Sequence, residues 1–382
     1  MPALILDSPR PPRRHVAMSR IEAVYRIRAP RVEIERVAHA IALEQSVEVP
    51  VDAVREAYVA DEVVARVGAM TERAPDLFDV RIGLAEVTAG GDVAQTVNML
   101  FGNSSLHAHV ELVDATFPDT LAARFGGPRH GVAGLRELLD VNDRPLTCAA
   151  LKPQGLAGAQ LAELCATFAR GGIDVIKDDH GLADQSYSPF AERARLCQRA
   201  VERASRDTGR RVLYAPSLVG APKALVERAK IVREEGIGMV LLAPTLIGMP
   251  VFHELVREHL DVPVLAHPAY AGATRVAPAF LLGKLFRMLG ADAIIYPNYG
   301  GCFSYSKALC RDLADTMRGP LHGMPAALPV PAGGMTVERV PELARFYGRD
   351  AMLLIGGSLL VADDVLQQAR GFVAAVAAGG HP

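Results

Sequence analysis

Residues 171–185 read GGIDVIKDDHGLADQ. The stretch opens on the apolar, β-branched Ile173, Val175 and Ile176, then sets Lys177, Asp178, Asp179 and His180 in a row. Charges are costly to bury unless paired or bound to metal, so a core strand that ends in four ionisable residues needs a reason. Two readings are open. Carboxylates beside an imidazole can hold a hard divalent cation such as Mg2+. Alternatively, Lys177 pairs with Asp178 or Asp179 in a plain salt bridge at the rim of the fold. Lys152, at the end of another apolar run, favours the first reading. Two lysines and two aspartates at one mouth suit acid–base work on an anionic substrate, because a lysine beside another cation has a lowered pKa.

Such residues need a frame, and the chain beats regularly from residue 145 onward. Short apolar runs at 145–153, 174–179, 211–219, 238–244, 262–269, 293–300, 327–334 and 351–358 alternate with amphipathic stretches of helical length. Several of those stretches open at Pro and close at Gly, as helices do. Strand–helix alternation implies a parallel sheet, and eight units match the size of a closed barrel of about 250 residues. An open doubly wound sheet fits less well, since no GxGxxG follows the first strand. Residues 19–130 lack this beat. SRIEAVYRIRA alternates like a strand, RVEIERVAHAIALEQS reads as a helix, and DVRIGLAEVTA and TVNMLFGNSSLHAHVELVDATFP contain strand-like stretches. The expected fold class is therefore α/β: a (β/α)8 TIM barrel over 131–382, preceded by a smaller α+β, ferredoxin-like domain over 18–130. Residues 1–17, rich in Pro and Arg, are expected to be a disordered extension and do not read as a signal peptide.

Active sites of such barrels form at the C-terminal strand ends. Lys152 ends the first strand, Lys177 to His180 the second, Ser217 the third, His267 the fifth and Asn298 the sixth. Strands seven and eight both end in glycine pairs, Gly333–Gly334 and Gly356–Gly357. A phosphate site after these two strands is common, since glycines let backbone N–H groups close on an anion. Tight turns needing positive φ are the competing explanation; two pairs at these two strands favour phosphate. Taken alone, His267 reads as a rim histidine, Cys302 as a space-filling residue, and His107, His109 and His130 as surface residues.

The bulk composition is that of an ordinary globular protein of 382 residues with a net charge of −2. That charge argues against a general nucleic-acid binder. Five cysteines, an odd number without CxxC spacing, argue against a disulfide framework and a zinc knuckle, and a reducing cytoplasm is the expected setting. No apolar run reaches the ~20 residues a membrane span needs.

With those residues in view, the chain resembles the large-subunit RuBisCO family. GGIDVIKDDHGLADQ resembles that family's metal-site signature, GGxDxxKDDE, and the likeness runs from about Met18 to the last helix. It includes ALKPQGL, AHPA, PAGGM and IGGS at strands one, five, seven and eight. In the small domain, IALEQSVEVP and LFGNSSLH look like the two segments that reach the active site. The resemblance implies roles by position. Lys177 matches the lysine that CO2 carbamylates and that then binds Mg2+. Asp179 matches a carboxylate ligand, and His180 stands at the second, so the implied metal set is Lys177, Asp179 and His180. Histidine there weakens the site for Mg2+ and favours softer divalent metals. Lys152 matches the lysine that moves protons during enolisation, and His267 the histidine beside the reacting carbons. Glu44 and Asn103 match residues supplied by the neighbouring subunit, which implies a homodimer or higher assembly with shared sites. Gly334, Gly356 and Gly357 match backbone that holds one phosphate.

The departures narrow the function. Gln154 replaces the second lysine of the family's KPK motif, Pro268 an arginine, Ile295 a histidine, Cys302 the mobile-loop lysine, Ala332 a serine, and Val49–Pro50 a Thr–Trp pair. Loss of the arginine, histidine and serine argues against a bisphosphate substrate; loss of the loop lysine argues against CO2 fixation. An enolisation apparatus and one phosphate cradle are left, the pattern of the non-carboxylating RuBisCO-like proteins of form IV. EQSVEVP and YPNYGG look like that branch. The first expectation is a lyase that decarboxylates a phosphorylated keto sugar acid of the 3-oxoisoapionate 4-phosphate type. The alternatives are a methylthioribulose-1-phosphate isomerase or diketo-methylthiopentyl-phosphate enolase, and a non-catalytic binding homologue.

Overall fold

The computed structural model describes residues 18–379, so the Pro- and Arg-rich segment 1–17 lies outside the described residues. Strand β1 (Arg20–Arg28) buries Ile21, Ala23, Tyr25 and Ile27 and turns the residues between them outward, the period of two that a half-buried strand shows. With β2 (Arg66–Ala74), β3 (Leu77–Ala85) and β4 (Val110–Thr116) it forms an antiparallel sheet in the order β2-β3-β1-β4. Helices Ile34–Glu44 and Val93–Phe101 connect the strands. This is the βαββαβ ferredoxin-like arrangement.

Two details of that domain add to the sequence reading. Strand β2 has no alternating apolar signal, because it is a largely exposed edge strand. The segment beginning TVNMLFGNSS holds the strand Val110–Thr116, but its start is helical. The Asp92 carboxylate accepts from the Gln95 backbone N–H at 2.8 Å, and this cap sets the helix despite its β-branched content.

The eight remaining strands are β5 (Leu146–Leu151), β6 (Val175–Asp178), β7 (Leu213–Ala215), β8 (Val240–Leu242), β9 (Val264–Ala266), β10 (Ala293–Pro297), β11 (Leu328–Ala332) and β12 (Met352–Ile355). Each lies inside one of the runs read from the sequence. They pair in parallel as β12-β5-β6-β7 and β8-β9-β10-β11. A parallel bridge between Ser217 and Leu241 joins β7 to β8, and β11 lies beside β12, which closes the ring. The barrel interior is filled by one side-chain row from each strand, including Cys148, Val175, Leu265, Val330 and Leu354. Stepping two residues at a time carries those rows to the mouth. Cys148 leads through Ala150 to Lys152, Val175 to Lys177 and Asp179, Leu265 to His267, Val330 to Ala332, and Leu354 to Gly356. Asp178 is out of phase with its row and turns to the layer between strands and helices.

Candidate active site

Asp178 is buried beside the equally buried Arg193. Its Oδ2 accepts from Arg193 Nε at 3.0 Å and from the Ser217 backbone N–H at 3.1 Å; its Oδ1 accepts from the Tyr214 hydroxyl at 2.8 Å. Arg193 also donates to the backbone carbonyls of Ser188 and Ala183. The network ties the end of β6 to β7 and to helix Phe190–Thr208. Burial pushes the Asp178 carboxyl up, and Arg193, Tyr214 and Ser217 pull against it. Asp178 is an anchor for the strand end that carries Lys177. The sequence reading passed over Arg193, although a signal existed. It sits in the stripe Phe190, Ala194, Cys197 and Val201, which the helix buries, and an arginine in an apolar stripe needs a buried partner.

Lys177 is 3% exposed, and its Nζ donates to the Asp178 carbonyl at 2.7 Å. Burial lowers its pKa. Of the salt bridges considered from sequence, neither is made by Lys177; it is Lys152 Nζ that ion-pairs with Asp179 Oδ2. Asp179 Oδ1 accepts from the Gly181 N–H at 2.9 Å. Burial would raise Asp179, but the hydrogen bonds from Lys152 and Gly181 and the two lysine charges hold it down at about 2. His180 Nδ1 lies 3.4 Å from Asp179 Oδ1. The His180 ring stacks on that of His267, with centroids 4.2 Å apart and planes 14° apart. His267 Nδ1 accepts from the Ala269 N–H at 3.1 Å, which leaves its proton on Nε2. Burial, with the Lys177 charge and His180 beside it, pushes His267 down to about 2. Lys152, Lys177, Asp179, His180 and His267 thus form one cluster at the mouth.

Among the described residues, no three His, Cys, Asp or Glu side chains gather as a metal site. Asp179 and His180 are two potential donors. A third donor requires Lys177 as a carbamate, and a buried amine of lowered pKa suits that step, because only the free base attacks CO2. With the carbamate in place, two anionic oxygen donors and one imidazole fit a divalent cation.

The two glycine pairs have different causes. Gly333 and Gly334 have φ of +85° and +72°, where only glycine sits without strain. Gly356 and Gly357 have no positive φ. A Cβ on Gly356 would stand 3.6 Å from Lys152 Cε, and one on Gly357 would project into open space. Among the described residues, none of the four backbone N–H groups donates to another backbone group. Ser358 Oγ donates to the Met335 carbonyl at 2.8 Å and ties the two loops together. The loop after β10 presses on this cradle: a Cβ on Gly301 would fall 1.9 Å from the Gly333 carbonyl oxygen, and one on Gly333 would meet the Phe303 ring at 3.0 Å. Cys302 is exposed on that loop, which corrects its reading as a space-filling residue.

Glu44 and Asn103 meet each other, Asn103 Nδ2 donating to Glu44 Oε1 at 2.9 Å. Among the described residues, neither bonds to Lys152, Lys177 or His267 of its own chain. The positions where the family's second-phosphate ligands would stand are apolar: Pro268 follows His267, Ile295 is buried inside the barrel, and Ala332 ends β11.

Comparison with known proteins accounts for this geometry. The family of the ribulose bisphosphate carboxylase large chain, catalytic domain, matches residues 131–362. A 5-methylthioribulose-1-phosphate isomerase of Rhodospirillum rubrum is 48% identical over 94% of this chain and 96% of its own length. The chain belongs to the RuBisCO large-chain family. A crystal structure of a RuBisCO-like protein from Rhodopseudomonas palustris superposes with a TM-score of 0.89 at 46% identity, over 95% of this chain and 99% of that one. A 2,3-diketo-5-methylthiopentyl-1-phosphate enolase of Geobacillus thermodenitrificans is 34% identical over 73% of this chain and 70% of its own. Within the RuBisCO family the chain groups with the RuBisCO-like proteins, in keeping with the non-carboxylating form IV branch.

Proposed function

We propose that this RuBisCO-like chain is an isomerase of a singly phosphorylated ketose with an apolar tail, of the 5-methylthioribulose 1-phosphate class. The observation that carries this reading is the composition of the strand ends. Four backbone N–H groups without a backbone partner are on offer for a phosphate, whereas Pro268, Ile295 and Ala332 stand where the resemblance would require arginine, histidine and serine for a second one. Apolar residues at those positions do not repay the desolvation of a second charged group, and they suit a thioether. The R. rubrum relative bears the name of that activity. Decarboxylation, the first expectation from sequence, takes second place, because a substrate carboxylate would meet proline at position 268 where the family has arginine.

The reaction needs a proton taken from one carbon beside a carbonyl and returned to another, with no net gain or loss of atoms. Lys152 stands where the carbon acid arrives, and its partner Asp179 keeps the ammonium form in place between transfers. Lys152 as free amine takes the proton and, as ammonium, delivers it to the neighbouring carbon. His267 stays neutral and donates its Nε2 proton as a hydrogen bond to a substrate oxygen, without titrating. Lys177 as carbamate, Asp179 and His180 would hold a divalent cation, which would stabilise the negative charge that enolisation places on oxygen. Glu44 and Asn103 would complete the site from the partner subunit of a homodimer.

The test is turnover of 5-methylthioribulose 1-phosphate in D2O, followed by NMR. The expected result is a rearranged ketose phosphate carrying solvent deuterium on carbon. Turnover of 3-oxoisoapionate 4-phosphate with CO2 release, and none of the methylthio sugar, would overturn the reading.

A further inference from the structure

A second cavity lies at the opposite end of the barrel, where the strands begin. It has a volume of about 730 Å3 and is bounded by the segments that lead into β5, β6 and β7 and by the last helix, Val365–Gly379. That size is in the range of small-molecule sites. Its walls carry Arg144, Arg170, Arg210, Arg211 and Arg370 against Asp140, Asp143 and Asp174. Arg144 and Asp174 satisfy each other in a bidentate pair of 2.7 and 2.8 Å, and Asp174 also accepts from both the Thr147 hydroxyl and its N–H. Asp174 is therefore spent. Four arginines then face two exposed aspartates, a local positive excess in a chain whose net charge is −2.

Among the described residues, the side chains of Arg170, Arg210 and Arg370 have no hydrogen-bond or ion-pair partner, and Arg211 reaches only the Glu137 carbonyl. Arg170 closes its helix and Arg210 follows the cap of another, where a cation offsets the negative helix end. Arg370 has no such reason, since it lies inside Val365–Gly379. Arg210 is also drawn across a bare backbone: a Cβ on Gly172, whose φ is +89°, would fall 2.8 Å from its Nη1. Guanidinium forks from separate elements around one hollow match the oxygens of phosphate groups. Leu139, Val141, Val212 and Val373 line the rest and suit a nonpolar body between the charges.

We propose that this cavity binds a small organic anion carrying two or more phosphate groups, at a site separate from the catalytic mouth. The proposal does not depend on the reaction assigned above. Because the glycine cradle would also take phosphate, the measurement is made on Gly357→Asp, which places a carboxylate in the cradle. Inorganic pyrophosphate is titrated calorimetrically into Gly357→Asp and into the same protein carrying Arg210→Glu and Arg370→Glu; both arginines are exposed. Saturable binding is expected in the first. A loss of about tenfold or more in affinity is expected in the second, as removal of charge-assisted hydrogen bonds implies. ATP and a sugar bisphosphate, titrated in parallel, distinguish a nucleotide from a sugar as the carrier of the phosphates, and micromolar binding of either supports the site. If the doubly reversed variant does not fold, Arg370→Gln alone replaces it, with a several-fold loss expected. No saturable binding to Gly357→Asp would overturn the proposal, as would equal affinity with and without the arginines.

Discussion

Lys177 and His267 illustrate how burial sets chemistry one residue at a time. A buried ammonium with a backbone carbonyl as its partner is a poor resting state for Lys177, and the proposed carbamylation would convert it to an anionic oxygen donor. Lys177→Ala should lower turnover by on the order of 10²–10³-fold. Wild-type activity should rise with bicarbonate and divalent metal, and the variant should respond to neither. A variant that keeps most of its activity would return Lys177 to a structural cation. His267 makes a prediction about stability. Its folded pKa of about 2 lies below its ordinary 6.5, so below 6.5 the unfolded chain binds the extra proton. Folding stability contributed by this site is full above pH 6.5. It then falls by up to about 1.4 kcal/mol per pH unit of acidification. Thermal melts between pH 4 and 7 should show a shallower acid slope for His267→Gln than for wild type.

At the scale of elements, the two glycine turns proposed to hold phosphate are separable by backbone conformation. Gly334 is in the left-handed region, and a Cβ there would crowd the Cys302 backbone N at 2.9 Å, so substitution at that turn mixes strain with lost binding. Gly357 is free of both problems. Gly357→Asp should therefore fold as wild type, melt within a degree or two of it, and raise KM for a phosphorylated substrate by on the order of a hundredfold, through like-charge repulsion at a desolvated contact. Steady-state kinetics with unchanged KM would move the phosphate away from β12. The β6 end shows the complementary logic. Lys177 and Asp179 share the inward row while Asp178 takes the outward one, so a single strand delivers the reactive pair and its own anchor.

At the scale of the whole molecule, the proposed site calls for a partner subunit. Glu44 and Asn103 are held together by a hydrogen bond on the N-terminal domain, and among the described residues neither bonds to Lys152, Lys177 or His267 of its own chain. Sedimentation at micromolar concentration should give a dimer or larger assembly. Mixing two inactive variants, Glu44→Gln and Lys152→Ala, should restore about a quarter of wild-type activity. Half of randomly mixed dimers are hybrid, and each hybrid has one complete site out of two. No recovery after verified subunit exchange would show that each chain completes its own site.

The sequence by itself determined the barrel, because parallel buried strands are near-continuous apolar runs separated by amphipathic helices, a local pattern visible at each of the eight strands. It also marked the ionisable strand ends that the fold gathers into one cluster, Lys152, Lys177, Asp179, His180 and His267. It resolved β2 poorly, because an exposed edge strand carries no apolar alternation, and it did not mark the helix at the start of TVNMLFGNSS, where one capping carboxylate outweighs β-branched composition. Only the tertiary structure decided which charges pair. Adjacency in KDDH suggested Lys177 with Asp178 or Asp179, yet the period of two sends Asp178 outward to Arg193 and Tyr214, and brings Lys152 from the neighbouring strand to Asp179. The stacking of His180 on His267 and the pressing of the β10 loop on Gly333 have the same origin. Both join residues far apart in sequence, and barrel closure, which no local pattern encodes, sets them within contact distance.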